Sequence, residues 1–172
     1  IVKASRPELV DVKITNYCNY GCKFCYQGST VKGKHASKAS LAYLKTALNS
    51  LKVWEVAVGG GEPTQWVSGK EKTPDYPFIL NWGAIVANMT TRNLDTLAFL
   101  KEYNSKKHPV YKIGSIAFSV EDVATAERIR KQAEEYEIHP YKSYGSENQQ
   151  ATISFQYIVG VNDQQNLIDL ID

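Results

Sequence analysis

The stretch from Leu9 to Cys25, LVDVKITNYCNYGCKFC, joins an alternating apolar and polar run to three closely spaced cysteines. Its first part, Leu9–Thr15, is rich in β-branched residues and predicts a strand. Cys18, Cys22 and Cys25 follow, so they belong to the loop at the carboxyl end of that strand. The cysteines are therefore carried by a loop whose base is fixed by the strand.

Strands and helices alternate along the rest of the chain. The side-chain periodicity predicts four more strands and five helices: strands at 53–58, 84–89, 112–119 and 152–161, and helices at 37–51, 77–82, 94–103, 123–136 and 162–172. Regular alternation of this kind predicts an α/β fold with parallel strands and right-handed helical crossovers. The carboxyl ends of the strands then share one edge, where the active sites of β/α barrels lie.

The composition predicts one globular domain, residues 1–172. A chain of 172 residues with 43% hydrophobic content can bury one core. A formal net charge of +2 gives no reason to expect a nucleic acid as the main partner. There is no apolar run near the roughly 18 residues that a membrane-spanning helix needs. Three clustered cysteines, with no distant partners, favour the reducing cytoplasm over a disulfide framework.

The three thiols supply one ligand fewer than the four cysteines that usually hold an iron–sulfur cluster. Thiolates bind iron–sulfur clusters and soft metals, and such clusters usually take four cysteines. Three cysteines leave one iron open, and an open iron can bind a small molecule and pass it an electron. The alternative is a Cys3His zinc site completed by His35. His35 lies ten residues after Cys25, outside the short spacing usual in zinc sites.

A second motif, Gly59-Gly60-Gly61-Glu62-Pro63, follows the predicted strand at 53–58. Glycines after a strand often mark only a tight turn. They also let a ligand approach the backbone closely, because no Cβ atom stands in the way. Glu62 would then offer a carboxylate to a ligand ammonium group.

The CxxxCxxC spacing of Cys18, Cys22 and Cys25, with Phe24 before the last cysteine, resembles the cluster loop of radical S-adenosylmethionine (radical SAM) enzymes. The glycine motif resembles the second signature of that superfamily. The resemblance implies a partial TIM-like barrel with six strands, of which this chain supplies five. It also implies a [4Fe–4S] cluster held by the three cysteines, and binding of the methionine amino group of S-adenosylmethionine by Gly60, Gly61 and Glu62.

The resemblance assigns further cofactor contacts. Ser119 and Glu121 would reach the ribose hydroxyls or the methionine carboxylate, although such residues also cap helices at strand ends. Phe24, Val159 and Gly160 would flank the adenine. A polar group after the third strand could bind substrate or the cofactor carboxylate, or could form only a turn: Asn88, Thr90, Thr91 and Arg92.

The function implied by the resemblance is reductive cleavage of S-adenosylmethionine to a 5′-deoxyadenosyl radical, which abstracts hydrogen from a substrate. The sequence leaves that substrate open among small molecules, nucleotides and proteins. Two alternatives remain. One is an activase of a glycyl-radical enzyme, and the other is a non-catalytic iron–sulfur module for electron transfer or redox sensing.

The resemblance also implies protein partners. A reduced flavodoxin or ferredoxin would donate the electron, and a basic patch after the cysteine loop could dock it by charge complementarity: Lys32, Lys34, His35 and Lys38. Such a run of charge is usually only a solvated face. The sixth strand would come from a C-terminal extension, if the chain is truncated, or from a partner chain that pairs with the fifth strand.

Overall fold

The structure is a computed structural model that describes residues 5–68, 74–106, 110–138 and 150–158. Within these residues strands and helices alternate as the sequence predicts. The strands are β1 (Leu9–Thr15), β2 (Glu55–Gly60), β3 (Val86–Thr91), β4 (Lys112–Ser119) and β5 (Thr152–Gln156). The helices are α1 (Lys38–Ser50), α2 (Tyr76–Leu80), α3 (Thr96–Asn104) and α4 (Val123–Glu135), with a 3₁₀ turn at Pro63–Gln65.

The strands form one five-stranded sheet in the order β1-β2-β3-β4-β5. The pairings of β1 with β2, β2 with β3 and β4 with β5 are all parallel. Strand order follows chain order because each connection is a crossover that returns the chain to the same side of the sheet. The predicted α/β fold with five parallel strands, consistent with a partial TIM-like barrel, is therefore confirmed.

Two predicted strands are displaced along the chain. The strands predicted at 53–58 and 84–89 lie at Glu55–Gly60 and Val86–Thr91. Val53 is buried, but its N–H donates to the Leu48 carbonyl at the end of α1 (3.2 Å) rather than to a strand. Ile85 is likewise buried in a turn, where its N–H donates to the Trp82 carbonyl (3.3 Å). The apolar runs in the sequence therefore show where the chain becomes buried, and in both cases the chain is buried before it begins to pair as a strand.

The end of the chain is only partly described. The strand predicted at 152–161 is observed as Thr152–Gln156, and residues 159–161 and the predicted helix at 162–172 lie outside the described residues. β5 stands at one edge of the five-stranded sheet. Its Phe155 is 44% exposed.

The chain forms two compact units, and the first contains the described residues up to Met89 together with 110–114. Helix α1 starts after its N-cap residue Ser37, whose Oγ accepts the N–H of Ser40 (3.0 Å). Leu41 and Leu48 are buried along this helix. The buried side chains of the sheet in this unit are mainly aliphatic: Val12, Ile14, Val56, Val58, Ala87 and Met89.

The second unit contains the described residues among 90–106, 115–138 and 150–158. Helix α4 begins where the Asp122 carboxylate accepts the N–H of Thr125 (2.6 Å), and this bond lowers the pKa of Asp122. Asn104, at the end of α3, exchanges two hydrogen bonds with the backbone of Ala151 (2.8 and 3.1 Å). This exchange fixes the start of β5. None of the described helices is long and apolar enough to cross a membrane.

Candidate functional site

The cysteine loop is closed at its base by backbone hydrogen bonds. Asn16 N–H donates to the Lys34 carbonyl and Ala36 N–H donates to the Ile14 carbonyl, each at 2.9 Å. Isolated β-bridges pair Thr15 with His35 and Tyr17 with Thr30. The loop leaves the end of β1 and returns to it, so its tip is held although it contains no helix or strand of its own.

The three thiols lie on this loop without disulfides. Cys18, Cys22 and Cys25 are all free and partly exposed. Turns order the last two, since Cys25 N–H donates to the Cys22 carbonyl and Gly28 N–H to the Cys25 carbonyl, each at 3.1 Å. The loop therefore presents three accessible thiols, as a cluster-binding loop must.

The backbone around Cys25 favours its thiolate. Hydrogen bonds from the backbone at Ser29, and also at Gln27 and Gly28, lower the pKa of the Cys25 thiol. Cys18 shows the opposite shift. Burial raises its pKa most, and the nearby negative charge of Glu62 raises it further. A positively charged iron centre would remove both penalties at Cys18, because metal ligation favours the thiolate.

The glycine motif is bonded directly to the cysteine loop. Gly61 N–H donates to the Thr15 carbonyl (2.8 Å) and Glu62 N–H donates to the Tyr17 carbonyl (3.0 Å). A Cβ atom on Gly61 would lie 2.2 Å from the Tyr17 oxygen, and one on Gly60 would lie 2.4 Å from the Thr15 oxygen. Gly60 also has a φ of +146°, which favours glycine. These glycines thus have a packing role that the sequence did not reveal, namely close approach of the chain's own backbone.

Glu62 is buried at the start of the 3₁₀ turn, with 3% of its surface exposed. Its Oε1 accepts hydrogen bonds from the backbone N–H (3.2 Å) and the hydroxyl (2.8 Å) of Thr64. These bonds orient the carboxylate, and the bond from the Glu62 N–H to the Tyr17 carbonyl joins this residue to the cysteine loop. A fixed carboxylate suits the binding of an ammonium group.

Sequence reasoning missed a pair of amides that joins the two motifs. Asn19 N–H donates to Gln65 Oε1 (3.2 Å), and Gln65 Nε2 donates in return to Asn19 Oδ1. Asn19 lies between the first two cysteines and Gln65 lies two residues after the glycine motif's proline. Nothing in the periodicity of either segment signals this contact, because the two residues are 46 positions apart.

His35 contacts Thr15 and Tyr17 at the base of the loop. Its Nδ1 lies 2.9 Å from the Thr15 hydroxyl, and its ring centroid is 5.3 Å from that of Tyr17. Burial lowers the pKa of His35. In the described part of the chain, no three His, Cys, Asp or Glu side chains converge so that they could hold one metal ion. A [4Fe–4S] cluster binds each thiolate at a different iron, so its three thiolates lie farther apart than the ligands of a single zinc ion.

The predicted sites of the second unit form pairs of their own. Arg92 forms an ion pair with Glu121, and Ser119 Oγ lies 3.5 Å from Gln156 Oε1. Glu121 is thus engaged with Arg92, and Gln156 is a polar neighbour of Ser119 that the sequence did not single out. Thr91 is buried, and its hydroxyl accepts the N–H of Asn93 (2.9 Å), in keeping with a turn role.

Three predicted positions remain. Phe24 is half-buried within the cysteine loop. Asn88 lies on β3, where its side chain donates to Glu55 (3.0 Å). Val159 and Gly160 lie outside the described residues.

Comparison with known proteins bears on this arrangement. No curated protein matches the chain. The sequence does match the Radical SAM superfamily over residues 12–135, a span that contains the cysteine loop, the glycine motif and strands β2 to β4. This match covers well over half of the 172 residues. The chain therefore belongs to the radical SAM superfamily.

Proposed function

We propose that this chain is a radical SAM enzyme domain in which Cys18, Cys22 and Cys25 hold a [4Fe–4S] cluster. Gly60, Gly61 and Glu62 form the binding site for the methionine amino group of S-adenosylmethionine. When bound, the cluster supplies one electron that cleaves a carbon–sulfur bond of the cofactor to give methionine and a 5′-deoxyadenosyl radical, which abstracts a hydrogen atom from the substrate.

The observation that carries the proposal is the backbone bonding between the two motifs. Gly61 and Glu62 donate to the carbonyls of Thr15 and Tyr17, immediately before Cys18. The order and spacing of the motifs along the chain could arise in other proteins. These backbone bonds hold the residue that carries the Glu62 carboxylate against the base of the loop, which carries three free thiols. A cofactor with both an ammonium and a carboxylate group could then be oriented by Glu62 while it binds the open iron.

Each residue has a distinct part in this proposal. The cysteines bind the cluster, and the N–H groups around Cys25 stabilise its thiolate. Glu62 orients the cofactor through its ammonium group. The resemblance further assigns Phe24, Val159 and Gly160 to the adenine, and Ser119 and Glu121 to the ribose hydroxyls or the methionine carboxylate. The protein thus supplies orientation and exclusion of water, while the bound groups supply the redox chemistry.

The direct test is cofactor cleavage. Protein reconstituted anaerobically with iron and sulfide, then reduced with dithionite, should convert S-adenosylmethionine to 5′-deoxyadenosine and methionine. Replacing any of the three cysteines by alanine should abolish cluster retention, whereas Glu62→Gln should keep the cluster and weaken cofactor binding. A reduced protein with a full cluster that yields no 5′-deoxyadenosine would instead be an electron-transfer or redox-sensing module. A glycyl radical formed on a partner enzyme would identify an activase.

The proposed electron donor is a reduced flavodoxin or ferredoxin. Of the four basic residues near the loop, Lys38 lies 3.6 Å from Asp75 and His35 contacts Thr15. Lys32 and Lys34 are exposed. These two lysines are the ones that we expect to attract an acidic donor, and replacing both by glutamine should slow reduction by flavodoxin but not by dithionite.

The functional protein is also proposed to contain a sixth strand beside β5. The exposed edge of β5 and its 44% exposed Phe155 support this proposal. The strand would come from a C-terminal extension or from a partner chain. Amide hydrogen exchange along β5 should be slower when that segment is present than when it is not.

A further inference from the structure

One face of the sheet in the first unit carries several charged side chains beside apolar ones. Val12 and Ile14 of β1 are buried, whereas Asp11 and Lys13, which alternate with them, are exposed. The register places Asp11 beside Ala57 and Lys13 beside Gly59. Ala57 is in turn beside Asn88. Neighbours in parallel register point to the same side, so these residues share a face, which we call the open face: Asp11, Lys13, Glu55, Ala57, Gly59 and Asn88.

The open face differs from the interior of a closed β/α barrel. Such interiors are filled by layers of bulky branched side chains. Here the corresponding side contains two carboxylates, one ammonium group and one amide, together with the apolar Leu9 and Val86. Glu55 and Asn88 are joined by a hydrogen bond of 3.0 Å. Asp11 and Lys13 are exposed, and they form no ion pair or hydrogen bond with the described residues.

The open face also has room next to the cysteine loop. A Cβ atom added to Gly59 would meet no atom within 4 Å, and Gly59 is the register neighbour of Lys13. Lys13 lies toward the carboxyl end of β1, from which the cysteine loop leaves, and Asp11 lies two positions earlier along the strand.

We propose that the open face binds a small zwitterion, with its carboxylate at Lys13 and its ammonium group at Asp11 and Glu55. A ligand with only a carboxylate would be repelled by Asp11 and Glu55, and one with only an ammonium group would be repelled by Lys13. Only a ligand that carries both groups is complementary to all three charges. This inference rests on the proposed function, because it gives the chemical class of the substrate.

The test uses three probes of similar size. Two positions along a strand span about 6.6 Å, which 6-aminohexanoate can bridge with its two charges. Hexanoate carries only the carboxylate and hexylamine only the ammonium group. Saturation-transfer NMR detects such weak ligands on unlabelled protein, so it can be applied to reconstituted, oxidised protein. Saturating S-adenosylmethionine is included, because that cofactor is itself a zwitterion and must not compete with the probe.

The expected result is a dissociation constant for 6-aminohexanoate about two- to fivefold below that of either singly charged probe, as one added exposed ion pair would give. Lys13→Gln should remove the preference over hexylamine, and Asp11→Asn should remove the preference over hexanoate. Lys131→Gln, which changes an exposed lysine on α4, is the control and should leave both preferences intact.

Equal binding of the three probes, or no binding of 6-aminohexanoate, would overturn the inference and leave the open face as a solvated surface. The same outcome follows if Lys13→Gln and Lys131→Gln behave alike. Failure of the proposed function shows up separately, as an absence of 5′-deoxyadenosine from the reduced protein, because probe binding is measured with the oxidised protein and needs no cofactor cleavage.

Discussion

Replacing Gly61 by alanine would place a methyl group against the backbone of the cysteine loop. The new Cβ atom would lie 2.2 Å from the Tyr17 oxygen, 2.7 Å from the Tyr17 carbonyl carbon and 3.0 Å from Cys18 Cβ. The nearest of these atoms belong to the backbone and cannot rotate away. The loop must therefore move relative to the glycine motif, and the hydrogen bonds from Gly61 to Thr15 and from Glu62 to Tyr17 must lengthen.

The cost can be estimated from overpacking in other proteins, which destabilises by about 1–3 kcal/mol. A change of 1 kcal/mol lowers the melting temperature of a chain of this size by about 2–4 °C, so Gly61→Ala should lower it by about 2–12 °C. Because the shift falls on Tyr17 and Cys18, we also expect the reconstituted variant to retain less iron. Thermal unfolding and an iron assay after desalting measure the two effects.

Gly59→Ala is the matched control. It makes the same chemical change two residues earlier in the same motif, where the added Cβ atom would meet nothing within 4 Å. This variant should melt within about 1–2 °C of the wild-type protein, as expected for a surface substitution of up to 0.5 kcal/mol. If Gly61→Ala and Gly59→Ala have the same melting temperature and the same iron content, the argument from backbone contact is wrong.

Three further predictions concern side chains. Gln65→Ala should cost about 0.5–1.5 kcal/mol for each hydrogen bond lost to Asn19 and should increase iron loss on desalting; unchanged iron retention would mean that the amide pair does not hold the loop. Burial lowers the pKa of Lys45 to about 8, from an ordinary value of 10.5. Between these two pH values the unfolded state binds more protons than the folded state, so the stability of the wild-type protein relative to Lys45→Met should rise with pH. A stability difference in chemical denaturation that stays constant over this range would contradict the prediction. Glu121→Gln breaks an exposed ion pair with Arg92 and should change the free energy of unfolding by less than about 1 kcal/mol. The same variant should bind S-adenosylmethionine more weakly, and an unchanged affinity in calorimetry would remove Glu121 from the cofactor site.

The alternation of strands and helices could be predicted from the sequence because it depends on local periodicity. Leu9–Thr15 and Lys112–Ser119 have the predicted bounds, and α1 begins and ends within one residue of the predicted range of 37–51. These features depend on residues a few positions apart, which the sequence displays directly. The bounds of β2 and β3 were displaced by two residues, since pairing with a neighbouring strand, not burial, determines where a strand begins.

The sequence by itself also identified the superfamily, since the spacing of three cysteines and a glycine motif needs no structure to be recognised. Only the tertiary structure decided how the two motifs meet. It gave Gly60 and Gly61 their packing role, joined Asn19 to Gln65 and placed Lys13 beside Gly59. These contacts connect residues about 45 positions apart, and their existence depends on the register between β1 and β2. A register belongs to two strands at once, so neither strand's own sequence contains it.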